Sequence, residues 1–135
     1  MSKQSKNGKE LINPEGTEVI YQTMRFSQAV KVGNIIWVSG QVGIDESLKP
    51  VEGVDAQARY AFKNLQQVLK EAGAELADIV ELVSYHTDMA DIKSFARVKN
   101  DFITYNYPAW TAVGVKELAL PELLIEIRAT AVIGE

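Results

Sequence analysis

The feature that most restricts how this chain can fold is a change of hydrophobic period at its centre. Ala58, Ala61, Phe62, Leu65, Val68, Leu69 and Ala72 recur at intervals of three and four, so they line one face of an amphipathic helix. Asp55 stands where an N-cap is expected, and Gly73 where a helix-ending glycine is expected. On either side the pattern changes to that of strands. Residues 29–32 and 35–39 flank Gly33-Asn34, a pair suited to a two-residue primed hairpin turn. Residues 18–23 are expected to form an earlier strand, and residues 43–53, with Gly43, Asp45, Ser47, Pro50 and Gly53, a loop. Downstream, residues 79–87 read as a strand rich in β-branched and aromatic side chains at Val80, Val83, Tyr85 and Thr87. Asp88 or Asp91 can cap a second helix whose apolar face is Ile92, Phe95, Val98 and Phe102. Pro108 ends that helical stretch, and two strands are expected over residues 110–118 and 123–133, parted by a turn at Pro121.

Strands, helix, strand, helix and two strands imply an α+β fold, a mostly antiparallel or mixed sheet with two helices packed on one face. Residues 1–16 are polar and end in Asn13-Pro14-Glu15-Gly16, which reads as a polar N-terminal arm closed by a turn. Residues 17–135 are expected to be a single domain, because 135 residues suit one core. The last strand adds a constraint. Ile125, Ile127, Ala129, Ala131 and Ile133 line one face, while Leu124 and Val132 add apolar groups to the other. Two helices can cover only one face, so the second face needs a partner copy, and an oligomer is expected.

Composition removes several function classes. There is no cysteine, so disulfides and thiolate metal sites are excluded, which fits a reducing compartment. A net charge of −4 offers no general field for phosphates, and no nucleic-acid partner is expected. No apolar run reaches membrane-spanning length, and the start, with Lys3, Lys6 and Lys9, has no apolar stretch behind it. A cytoplasmic protein with no membrane partner is the expectation. The single histidine, His86, has no second histidine or cysteine to share a metal with, so it reads as a strand histidine seeking a hydrogen bond.

Several short motifs in order carry a family resemblance. Phe26-Ser27-Gln28-Ala29-Val30, then Gly33-Asn34, then Ser39-Gly40-Gln41 resemble the opening of the Rid (reactive intermediate deaminase, YjgF-like) family. Asn64-Leu65, Val68-Leu69 and Ala72-Gly73 are similar to its first helix, and Asp88-Met89 before Phe95-Ala96 to the start of its second. Pro108-Ala109 and Ile125-Glu126-Ile127 resemble its closing strands. The resemblance runs from about residue 26 to residue 133. It implies a chorismate-mutase-like homotrimer with a cleft between subunits, no cofactor and no metal. It also implies hydrolysis of a reactive enamine or imine to a keto acid and ammonia, acting on a small metabolite acid.

By that resemblance Glu126 orients the attacking water. The family's carboxylate-gripping arginine, however, corresponds here to Trp110, within Tyr107-Pro108-Ala109-Trp110-Thr111. An indole carries one N–H donor and no charge, so it cannot replace a bidentate guanidinium. Lys99 stands at the place of a family asparagine, with Asn100 beside it, and Ala112 at that of a small or thiol residue. Phe26, Ser39, Gly40, Trp110, Thr111, Ala112, Lys99 and Arg128 are therefore the candidate substrate-binding residues. Each has a plainer reading. Trp110 either stacks on a planar ligand or fills an interface pocket. Glu126 either faces a polar cleft or sits solvated at an edge. Arg128, about 7 Å along the strand from Glu126, either supplies the missing cation or pairs with Glu126. Lys99 either offers its charge to an anion or lies on an exposed helix face, and Gly40 either lines the cleft or simply ends a strand. At the level of function, a deaminase with an altered substrate stands beside a non-catalytic metabolite-binding trimer. An endoribonuclease is a third reading, disfavoured because no histidine pair or basic stripe is present.

Overall fold

The computed structural model describes residues 2–4 and 6–134, with side chains from Asn7 onward; Met1 and Ser5 of the expected arm, and Glu135, lie outside the described residues. The strands are β1 (Ser2–Gln4), β2 (Glu10–Ile12), β3 (Ala29–Val32), β4 (Ile35–Val42), β5 (Ile79–His86), β6 (Ala109–Gly114) and β7 (Ile125–Val132). The α-helices are α1 (Glu18–Met24), α2 (Val54–Glu71) and α3 (Ile92–Phe102). The strands form one sheet in the order β1-β2-β3-β4-β7-β5-β6. All its pairs are antiparallel except β5 with β6, so the sheet is mixed and the fold is α+β.

Topology explains why the two long helices share a face. β4 and β5 are both antiparallel to β7, which lies between them, so they run parallel to each other. The chain therefore makes two crossovers, β4–α2–β5 and β5–α3–β6, which step in the same direction along the sheet. Crossovers of one hand stepping one way must place their helices on the same side. The core forms there. Phe62 of α2 lies 5.7 Å from Phe95 and stacks at 5.4 Å on Phe102, both of α3. The alternate residues Ile125, Ile127, Ala129 and Ala131 of β7 are buried beneath the helices. The opposite face of the sheet keeps apolar side chains exposed, with Trp37 at 46% and Val32 at 41% of full accessibility.

Local signals succeed where chemistry is local. Gly33 has φ +60° and Asn34 does not join the positive-φ residues, the type II′ pattern for a two-residue hairpin. Gly73 takes φ +85° directly after α2. Asp88 accepts the Ala90 N–H at 2.9 Å and caps the 3-10 turn that leads into α3. Asp55 makes no capping bond; Gly53 holds the N-cap position and Asp55 stands in the first turn.

One expected strand is a helix instead. Residues 18–24 form α1, with no buried residue, closed by Arg25 at φ +61°. The physical reason is competition for an edge: Glu10–Ile12 already pairs with β3, and Ile12 is fully buried. Part of the stretch read as a polar arm is thus built into the sheet. The strand expected over residues 110–118 stops at Gly114. Among the described residues no helix is long and apolar enough to cross a membrane.

Candidate functional site

Glu126 owes its setting to strand alternation. Its neighbours Ile125 and Ile127 point under the helices, so its own side chain projects from the other face, opposite Val42 of β4 and Tyr85 of β5. The carboxylate lies across Gly40, where a β-carbon would collide with it. A register shift between Val38 and Gln41 interrupts the β4–β7 ladder beside this contact, so strand irregularity and glycine coincide at the acid. No hydrogen bond or ion pair reaches the Glu126 carboxylate among the described residues. Burial pushes its carboxyl group above the usual carboxylate range. Ser39 donates its hydroxyl proton to the Ser27 carbonyl at 2.7 Å, which ties β4 to the segment that carries the exposed Phe26.

The edge of the sheet is built differently. Trp110 pairs in register with Leu82, which is buried on the helix side, so the indole lies against α3. Its Nε1–H donates to Ser84 Oγ at 2.9 Å, and its rings lie 6.0 Å from Phe95. The Lys99 ammonium sits 4.6 Å from the indole centroid, and its Nζ donates to Asn100 Oδ1 at 3.2 Å. Burial lowers the Lys99 pKa. Behind Trp110, Ser84 Oγ also lies 2.8 Å from His86 Nε2. The indole can only donate, so the Ser84 oxygen accepts from it, and the tautomer of His86 sets the direction of the Ser84–His86 bond. His86 is fully buried, packed edge-on to Phe95 at 4.9 Å, and its Nδ1 has no partner among the described residues. Burial lowers its pKa, against the opposing influence of Asp91.

The candidate residues thus fall into two groups. Glu126, Gly40, Ser39 and Phe26 gather at β4 and β7. Trp110, Ala112 and Lys99 gather on the helix side of β6, while Thr111, paired with Val83, points to the Glu126 side and is exposed. Two strand spacings, about 10 Å, and the thickness of the sheet separate Glu126 from Trp110 within one chain. Arg128 shares the face of Glu126 but pairs with neither it nor the indole; its Nε donates to Tyr85 Oη at 3.0 Å. Tyr85 stands opposite Glu126 on β5, and its hydroxyl reaches diagonally across to take the Arg128 guanidinium. Sequence reading gave Ser84, Tyr85 and Phe95 no place at the site, although a serine and a histidine alternating with Leu82 on one strand face signal a buried polar pair.

The comparisons with known proteins agree with this architecture. Residues 17–133 match the family model described as Endoribonuclease L-PSP. The RutC family protein YjgH of Escherichia coli is 41% identical over 108 residues, 78% of this chain and 82% of its own. Human 2-iminobutanoate/2-iminopropanoate deaminase is 35% identical over 112 residues, 81% of this chain and 80% of its own. A solved structure of protein YJGH superposes with a TM-score of 0.85 at 37% identity, over 95% of this chain and 98% of that one. On sequence and architecture alike, the chain belongs to the Endoribonuclease L-PSP family, the YjgF/RutC group that its motifs resemble.

Proposed function

We propose that this protein hydrolyses an enamine or imine of an amino acid, with Glu126 handling the water and the Lys99–Trp110 pair receiving the substrate acid. The observation that carries this reading is the Glu126 carboxylate, half-buried over Gly40 and left without a polar partner. A carboxylate raised above its usual range is suited to take a proton from water near neutral pH and return it. Water adds across the C=N bond, its proton passing through Glu126 to the nitrogen. The tetrahedral adduct then expels ammonia and leaves the keto acid. The deaminase named among the human relatives supports this reaction class.

The substrate should differ from that of an arginine-bearing relative. An ammonium over an indole is a point charge beside a flat apolar surface, which favours a conjugated or aromatic acid over a small aliphatic one. Because Glu126 and Trp110 face opposite sides of one sheet, a single small molecule reaches both only if a second copy supplies one of them. A cytoplasmic homotrimer with its cleft between subunits meets that need, and the exposed Trp37 and Val32 offer it an apolar contact surface. Histidine-based cleavage of RNA gains no support, because His86 is fully buried.

The test is ammonia release from freshly generated 2-iminopropionate and from a conjugated imino acid. The conjugated substrate is expected to be accelerated, the small one little or not at all, and Glu126→Gln to lose roughly a hundredfold or more. Equal rates for Glu126→Gln and the parent protein would remove the proposal and leave a metabolite-binding role.

A further inference from the structure

A second site lies on the other side of β4 from Glu126. Between the α1 segment, the loop after β4 and the outer side of α2 is a cavity of about 330 Å³, at the small end of the range that ligand pockets occupy. It holds none of the candidate catalytic or substrate-binding residues described above. Three glutamines line it; Gln67 is exposed, while Gln28 and Gln41 are each 5% exposed. Gln41 Nε2 spends both of its protons, on Gln28 Oε1 at 2.9 Å and on the Ser39 carbonyl at 3.2 Å. That pattern fixes which way both amides face. It leaves the Gln41 Oε1 acceptor and the Gln28 Nε2 donors without partners among the described residues, and neither belongs to the fully buried unpartnered atoms, so each retains some access.

The surroundings narrow the chemistry. Asn64 is held by two donated bonds, to the Val42 and Ile44 carbonyls at 3.0 and 3.1 Å, so its Oδ1 is a fixed further acceptor. Ile20, Ile44 and Val68 supply apolar wall. Glu15, Asp45 and Glu46 outnumber Lys63 around the cavity, which disfavours anions. Free donors on Gln28 and a free acceptor on Gln41, whose side chains are bonded to each other, match a group that presents a carbonyl beside an N–H. We infer that this cavity binds a small uncharged molecule through a primary amide or lactam edge, taking its carbonyl on Gln28 and its N–H on Gln41. This site is independent of the proposed deamination, since it needs neither Glu126 nor a second copy.

The experiment uses the full chain and follows the side-chain amide resonances of Gln28 and Gln41 by NMR. Nicotinamide is the probe, and nicotinate and N,N-dimethylnicotinamide are the controls. A ligand of this size should bind at about millimolar strength. Nicotinamide is expected to give saturable shifts at both glutamines, and each control to bind about tenfold more weakly or worse. Gln41→Leu should abolish the shifts at Gln28. Gln67→Trp, at an exposed helix position lining the cavity, should weaken binding while leaving the fold intact. Equal shifts with all three compounds, no shift at either glutamine, or unchanged binding in Gln67→Trp would overturn the assignment. Ammonia release plays no part in the readout, so this outcome and that of the deamination test are separable.

Discussion

The Glu126 side of β7 and the Trp110 edge of β6 are opposite kinds of construction. At Glu126 a charged group is held by shape: a glycine lets it lie flat on the backbone, burial lifts its pKa, and no donor relieves it. At Trp110 every polar atom of the indole is committed, with Ser84 on its N–H, Phe95 beside its rings and Lys99 over its face. Unrelieved groups are reactive, and committed ones are rigid. The difference suggests a division in which the sheet centre supplies chemistry and the sheet edge supplies orientation and selectivity.

The largest expected effect tests the first half of that division. Gly40→Ala puts a methyl group where the Glu126 carboxylate lies. It should cost about 1–3 kcal/mol in stability by overpacking and lower ammonia release nearly as far as Glu126→Gln. Denaturant unfolding and initial rates measure the two. Full activity in a folded Gly40→Ala protein would show that the acid works from another rotamer. A smaller effect sharpens the second half. Lys99→Met keeps bulk over the indole but removes its charge, so KM for an acidic substrate should rise by about tenfold with kcat little changed. A fall in kcat at constant KM would move Lys99 from binding to chemistry.

The smallest effect is on pH-dependent stability. The folded pKa of His86 lies below its unfolded value, so the unfolded chain binds the extra proton first as pH falls. Stability from this group is full above about pH 6.5 and declines as pH drops below it through the lowered folded value. Glu126 acts in the opposite sense: its raised pKa means that stability is lost as pH climbs through the carboxylate range toward that value. Thermal unfolding of the parent and of Glu126→Gln between about pH 4 and pH 7 should show the difference between the proteins growing with pH.

Much of the molecule is legible from residue order alone. The stripe from Ala58 to Ala72 specifies α2, Gly33 and Gly73 specify their turns, and the alternation of Ile125, Ile127, Ala129 and Ala131 specifies the buried face of β7. These are local or periodic properties, set by backbone sterics and by which side chains avoid water. Glu126 was legible only through the neighbouring motifs, because an acid between two isoleucines has the same pattern whether it faces a cleft or solvent.

What only tertiary structure decided is pairing between distant segments. The chain carries no local sign that Glu10–Ile12 takes the free edge of β3, which turns residues 18–24 into a helix. Nor does it show that Arg128 reaches Tyr85 rather than Glu126, that Ser84 sits under Trp110, or that Gln28 and Gln41 leave donors and an acceptor open. Each depends on register and on which face a side chain takes, and these are settled when strands far apart in sequence meet. Hydrophobic period determines which elements form; only their assembly determines which polar atoms end up satisfied and which remain free to act.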